Sequence, residues 1–187
     1  MASEDRVRWD TIFRERRTQI YPAPDPILLE YTPPILPQDE LPRALDLAAG
    51  LGQNGMWLAE QGYQTDIMDI SRVALERAKQ EMSIRNLRNV NLLQMDIDDL
   101  ELEQNSYDLI CVFRYLKRST FGLLKMATRR GGRVIYETFN LRYLEQVPQF
   151  NKKFLLKDHE LYDVFSDWQI LSHEEETHIS RIVAVKP

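Results

Sequence analysis

Three glycines, four carboxylates and a cluster of arginines carry the chemistry open to this sequence. Residues 43–59, RALDLAAGLGQNGMWLA, read as a buried strand, a glycine turn and a helix start in immediate succession. Gly50 and Gly52 remove Cβ atoms where the backbone must turn sharply and let a ligand approach, and the helix opening near Asn54 presents unpaired N–H groups to it. That junction is where α/β proteins hold a nucleotide. Asp46, Asp69 and Asp96 each stand at or just after the end of an apolar strand pattern, where a carboxylate can accept hydrogen bonds from hydroxyl or amino groups. Arg114, Lys117 and Arg118 follow another such strand and favour an anionic ligand through charge-assisted hydrogen bonds, or a carboxylate such as Glu137.

The glycine spacing admits two nucleotides. Gly50-Leu-Gly-Gln-Asn-Gly55 matches the dinucleotide pattern GxGxxG, with Asp69 about twenty residues on for a ribose. A dehydrogenase also needs a second mononucleotide-binding half and residues for hydride transfer. No Tyr-x-x-x-Lys arrangement of the kind some short dehydrogenases use is found. Asp46, at the end of the strand before the glycines, points instead toward S-adenosylmethionine.

The positioning elements follow from periodicity. The first twenty residues, with Trp9, Ile12, Phe13 and Ile20 among charged residues, predict an amphipathic helix. Two proline-rich stretches, 21–26 and 33–37, flank one or two helical turns at 27–31. Strands are expected at 44–48, 63–69, 90–95, 107–113 and 133–139. Helices are expected at 54–61, from a Ser71 cap to about Arg85, and at 120–128, with Gly131-Gly132 turning the chain into the fifth strand. A helix over 155–165 and two strands at 168–174 and 179–185 close the chain. Strands alternating with helices imply a parallel sheet with right-handed crossovers, and a short turn forces the last two strands to run antiparallel.

A chain of 187 residues with 43% apolar content suits one domain, 1–187, with a helical connector over 1–40 and a core over 41–187. No apolar run reaches the length of a membrane span, so the expectation is a cytoplasmic protein without membrane contact. The net charge of −5 argues against nucleic acid as a partner. The single cysteine, Cys111, lies in an apolar run and reads as core packing. His159, His173 and His178 show no close ligand spacing, so no metal is expected.

The ordered set of motifs resembles class I S-adenosylmethionine-dependent methyltransferases. Residues 45–59 look like the family's first motif. Met68-Asp-Ile-Ser71 resembles the acidic end of strand two, Gln94-Met-Asp-Ile97 the acidic position after strand three, and Tyr107–Phe113 the motif on strand four. Residues 130–137 correspond to the glycine turn into strand five. The resemblance covers roughly 40–187 and is nearest to small bacterial methyltransferases of the tellurite-resistance type, which share a Trp-Asp-x-x-Phe-like opening, here Trp9 to Phe13. Gln53 and Gly55 depart from the Arg and Ala that such relatives often carry.

What the resemblance implies is a seven-stranded Rossmann-like sheet, mostly parallel with a C-terminal antiparallel hairpin and helices on both faces. It implies S-adenosylmethionine as cofactor and S-adenosylhomocysteine as product. Asp46, Ala48, Gly50, Gly52, Asn54, Asp69, Ile70, Asp96, Ile97 and Phe113 would contact the cofactor. Asp69 would take the ribose hydroxyls and Asp96 the adenine amino group, while Gly50 and Gly52 would touch the ligand. Gly55 would be the dispensable third glycine of a coincidental dinucleotide pattern, lying inside the helix and away from any pyrophosphate. Arg114, Tyr115, Arg118 and Glu137 form the expected catalytic and acceptor-facing set, with the acceptor small and anionic, or a thiol or oxyanion. Trp9, Phe13, Arg14 and Tyr21 would form a lid. A monomer or weak homodimer is expected. A noncatalytic S-adenosylmethionine-binding protein and a short NAD(P)-dependent oxidoreductase are the alternatives.

Overall fold

A computed structural model describes residues 2–16, 18, 20–35 and 41–187. Leu36 and Pro37, at the end of the second proline-rich stretch, and Met1, Arg17 and Gln19 of the N-terminal helix expectation lie outside those residues. The described chain has seven strands in one mixed sheet of order 3-2-1-4-5-7-6, and it groups into two compact units, Met1–Glu101 and Leu102–Pro187.

The first unit holds α1 (Ala2–Glu15), α2 (Pro26–Tyr31), β1 (Arg43–Leu47), α3 (Gln53–Glu60), β2 (Gln64–Asp69), α4 (Arg72–Ile84) and β3 (Val90–Gln94). β1 pairs with β2 and β2 with β3, all parallel. β1 and β2 are apolar or buried along almost their whole length, as expected of parallel strands covered on both faces. Pro26 stands at the first turn of α2, where its missing N–H costs nothing. Ser71 caps α4 by accepting the Ala74 N–H at 3.1 Å. Asn86, in the left-handed region at φ 55°, ends that helix. Ala49, Met56, Ile67, Leu75 and Ala78 make the core between sheet and helices.

The second unit holds β4 (Tyr107–Phe113), α5 (Thr120–Ala127), β5 (Thr128–Phe139), α6 (Glu160–Val164), β6 (Gln169–Glu174) and β7 (Ile179–Val185). β4 and β5 are parallel, whereas β7 runs antiparallel to both β5 and β6. Cys111 is fully buried within β4. Two expectations are corrected here. β5 begins directly at Thr128, and Gly131-Gly132 form a bulge inside it: Tyr107 faces Thr128 while Leu109 already faces Arg133. Gly131 takes φ +75°, and Gly131 N–H and Gly132 C=O both bond the backbone of Lys186. The expected helix over 155–165 shrinks to Glu160–Val164, because a short 3₁₀ turn at Lys152–Phe154 precedes it and His159 at φ +59° breaks the helical path. Among the described residues no helix is long and apolar enough to cross a membrane.

Candidate functional site

In the first unit the chain leaves β1 through three left-handed residues, Ala48 at φ 55°, Gly50 at 56° and Gly52 at 76°. Only glycine takes such angles without strain, so Ala48 holds a conformation that costs about 1–2 kcal/mol. A Cβ on Gly52 would lie 3.1 Å from Ile67 Cγ2, and one on Gly50 would lie 3.2 Å from Phe13 Cζ. Protein groups therefore fill the space beside both glycines. Gly55 lies inside α3 as expected, and a Cβ there would fall 2.5 Å from Ile67 Cγ1.

The three carboxylates of this unit differ in what they hold. Asp46 is buried, and its Oδ2 accepts the Gly55 N–H at 2.8 Å, so it caps the first turn of α3 from the end of β1. Asn54 is likewise occupied: its Oδ1 accepts the Asp25 N–H at 2.8 Å and its Nδ2 donates to Asp25 Oδ2 at 3.0 Å, fastening the connector to α3. Asp69 is buried at the end of β2, with Oδ2 accepting from Gly50 N–H and Oδ1 from Ser71 N–H, both at 2.7 Å. Burial pushes its carboxyl up to about 6 despite those two donors, and the negative charge of Asp10 adds to the rise. Two oxygens offer about four acceptor positions, so hydroxyl groups can still be accepted. Asp96 follows β3. Its Oδ1 accepts the Asp98 N–H at 2.9 Å, while its Oδ2 is buried and has no hydrogen-bond donor among the described residues. Ile97 is buried beside it, and Ile70 is half-buried after Asp69.

Sequence reasoning missed one member of this constellation. Asp10 Oδ1 accepts from the Ser71 hydroxyl at 2.7 Å and from the Val73 N–H at 3.1 Å. Asp10 lies within the Trp9-Asp10-x-x-Phe13 opening, where the sequence carries no sign of its partner Ser71. Phe13 packs on Gly50, Trp9 lies 6.1 Å from Phe13 between ring centroids, and the Tyr21 hydroxyl donates to Leu51 C=O at 2.5 Å. Burial pushes the Tyr21 phenol well above its usual range, so it stays protonated and keeps that proton for the bond.

In the second unit Phe113 is buried at the end of β4, and Arg114 follows at φ +57°. The Arg114 guanidinium pairs with Glu137 Oε1 and lies 5.5 Å from the Phe139 ring centroid. Arg181 Nε lies 3.3 Å from Glu137 Oε2, so buried Glu137 is held by two arginines. Arg118 Nε and Nη2 donate to Glu160 Oε1 and Oε2 at 2.5 and 2.8 Å, and Nη1 and Nη2 donate to the Lys153 and Leu155 carbonyls at 2.9 and 3.0 Å. Arg118 thus clamps the segment before α6. Tyr115 offers its carbonyl to the Tyr136 hydroxyl at 2.8 Å, and burial raises the Tyr136 phenol far above its ordinary value, which suits packing.

A family model described as a methyltransferase domain matches residues 44–132. No curated protein matches the sequence significantly. Solved structures do. TehB from Haemophilus influenzae aligns at 17% identity over 78% of this chain and 58% of that one, with a TM-score of 0.65. This chain therefore spans little more than half the length of TehB. A S-adenosylmethionine-dependent methyltransferase from Mesorhizobium loti aligns at 16% identity over 86% of this chain and 96% of that one, TM-score 0.69. A chain of the Haloferax volcanii complex between the Trm112 methyltransferase activator and a methyltransferase aligns at 15% identity over 100% and 98%, TM-score 0.74. The fold is the Rossmann-like methyltransferase fold, and residues 44–132 match the methyltransferase domain within it.

Proposed function

We propose that the chain is a small-molecule methyltransferase that moves the methyl group of S-adenosylmethionine to an acceptor by in-line displacement. The observation that carries this reading is the buried Asp96 Oδ2 without a donor, standing one strand over from Asp69. A buried carboxylate oxygen left unpartnered costs free energy unless a ligand or a bound water supplies the donor, and the exocyclic amino group of adenine is a donor. Asp69 would take the ribose hydroxyls, with Ile70 and Ile97 flanking the base. The backbone from Ala48 to Gly52 would approach the methionine portion. Phe113 is kept as a cofactor contact by resemblance alone.

The acceptor is read as a small, already nucleophilic group such as a thiolate or an oxyanion. Glu137, engaged by Arg114 and Arg181, is poorly placed to serve as a general base, which favours an acceptor that needs none. Arg114 is the acceptor-facing cation in this reading, with Tyr115 beside it, while Arg118 has a positioning part. The tellurite-resistance-like assignment rests on the Trp9 to Phe13 opening and agrees with the likeness to TehB. Within this reading the protein works in the cytoplasm.

Calorimetric titration with S-adenosylhomocysteine tests the cofactor. Micromolar binding lost in Asp69→Ala supports the reading, and tight binding of a nicotinamide dinucleotide without S-adenosylhomocysteine binding overturns it. A panel of thiols, oxyanions and carboxylates, assayed for S-adenosylhomocysteine release with and without a Trm112-type activator, tests the reaction. Silence throughout, with normal cofactor affinity, would leave a noncatalytic binder.

A further inference from the structure

The Asp69 carboxylate is held by two backbone donors, and α1 touches both donor residues. Gly50 N–H reaches Oδ2 and Ser71 N–H reaches Oδ1. The Phe13 ring lies against Gly50. Asp10 accepts the hydroxyl proton of Ser71, while Ser71 Oγ itself accepts the Ala74 N–H. Ser71 is thereby tied on both sides, and it is fully buried. Asp10 and Phe13 stand three residues apart, on one face of α1. One helix face thus presses on both ends of the clamp that orients a single carboxylate.

Charge alone does not explain an acid at position 10. Its negative charge works against ionisation of Asp69, and although Arg6 and Arg14 offset that charge and the α4 N-terminus favours it, an uncharged acceptor would avoid the conflict. What Asp10 supplies is one oxygen, Oδ1, placed between the Ser71 hydroxyl and the Val73 N–H.

We propose that Asp10 is a positioning residue for the cofactor site: through Ser71 it fixes the N–H that orients Asp69, so that docking of α1 and binding of the cofactor ribose are coupled. This inference rests on the reading of Asp69 as the ribose ligand. Coupling is reciprocal, so the cofactor tightens α1 as much as a docked α1 tightens the cofactor.

The test combines calorimetric titration with S-adenosylhomocysteine and amide hydrogen exchange across residues 5–15, on the full chain. Asp10→Ala is expected to weaken binding about tenfold, within the usual range of coupling energies. Asp10→Asn retains an Oδ1 acceptor and is expected to recover most of that loss. Bound S-adenosylhomocysteine should slow exchange in α1 of the wild type and not of Asp10→Ala. Should Asp10→Ala fold poorly, Phe13→Ala reports on the other end of the clamp and is expected to weaken binding likewise. Unchanged affinity in a folded Asp10→Ala, unchanged α1 exchange in the liganded wild type, or an Asp10→Asn variant as weak as Asp10→Ala each overturns the proposal. Those results leave the cofactor reading intact as long as the wild type binds and Asp69→Ala does not. A wild type that fails to bind removes both.

Discussion

The Asp46 carboxylate accepts the Gly55 N–H at 2.8 Å, tying the end of β1 to the first turn of α3 by one buried hydrogen bond. That short tie brings Gly55 so close to the sheet that a Cβ would meet Ile67 Cγ1 at 2.5 Å, Ile67 Cδ1 at 2.7 Å and Asp46 Cβ at 3.2 Å. In an open helix Gly→Ala stabilises by about 1 kcal/mol. Here overpacking opposes the gain, and we expect Gly55→Ala to lower unfolding free energy by about 1–3 kcal/mol. Urea denaturation reads the sign directly, and a stabilised variant would show that Ile67 can yield.

Asp69 makes stability and cofactor affinity depend on pH in opposite senses. Its folded carboxyl is raised to about 6 from an ordinary 3.8. The folded state therefore holds the proton more tightly, and this contribution is complete below about pH 4 and lost as pH rises through 6. Its full size is on the order of 3 kcal/mol. Wild type should lose stability relative to Asp69→Asn between pH 4 and 6, measured by denaturant midpoints at each pH. Ribose hydroxyls donate to the ionised form, so S-adenosylhomocysteine affinity should rise over the same interval. A flat affinity profile from pH 5 to 7.5 would remove Asp69 from the ribose.

Glu137→Ala leaves Arg114 and Arg181 without their shared carboxylate. Both guanidinium groups are partly exposed and can be rehydrated, so the expected loss is about 1–2 kcal/mol rather than that of a sealed pair. Glu137→Gln keeps an acceptor and should lose less. If Glu137 only positions Arg114, methyl transfer by Glu137→Gln keeps the pH profile of the wild type. Loss of an ascending limb in that profile would assign Glu137 as a base.

The succession of strands and helices and the glycine turn were legible because backbone chemistry writes them locally. Alternation of apolar runs with helical periods, the Ser71 cap and the Gly50 and Gly52 angles all depend on neighbouring residues. The partners of charged side chains were not legible. Asp46 reads as a ligand contact until Gly55 is placed 2.8 Å away, and Asn54 reads as a free helix start until Asp25 closes on it across 29 residues. Asp10 meets Ser71 across 61 residues, a separation no local period reports. Gly131-Gly132 reads as a turn for a related reason: only the pairing with β4 and Lys186 shows that the strand continues through it.

Arg118 separates a structural from a substrate role most cleanly. Its planar fork meets both Glu160 oxygens and two carbonyls, a pattern an ammonium cannot reproduce. Arg118→Ala is expected to lower stability by about 1–2 kcal/mol, discounted for the partial exposure of the side chain. Arg118→Lys should recover less than half of that. Denaturant unfolding beside steady-state kinetics on a working acceptor tells the roles apart: a clamp shifts the unfolding midpoint and leaves KM for the acceptor within twofold. A tenfold rise in KM at unchanged stability would return Arg118 to the acceptor.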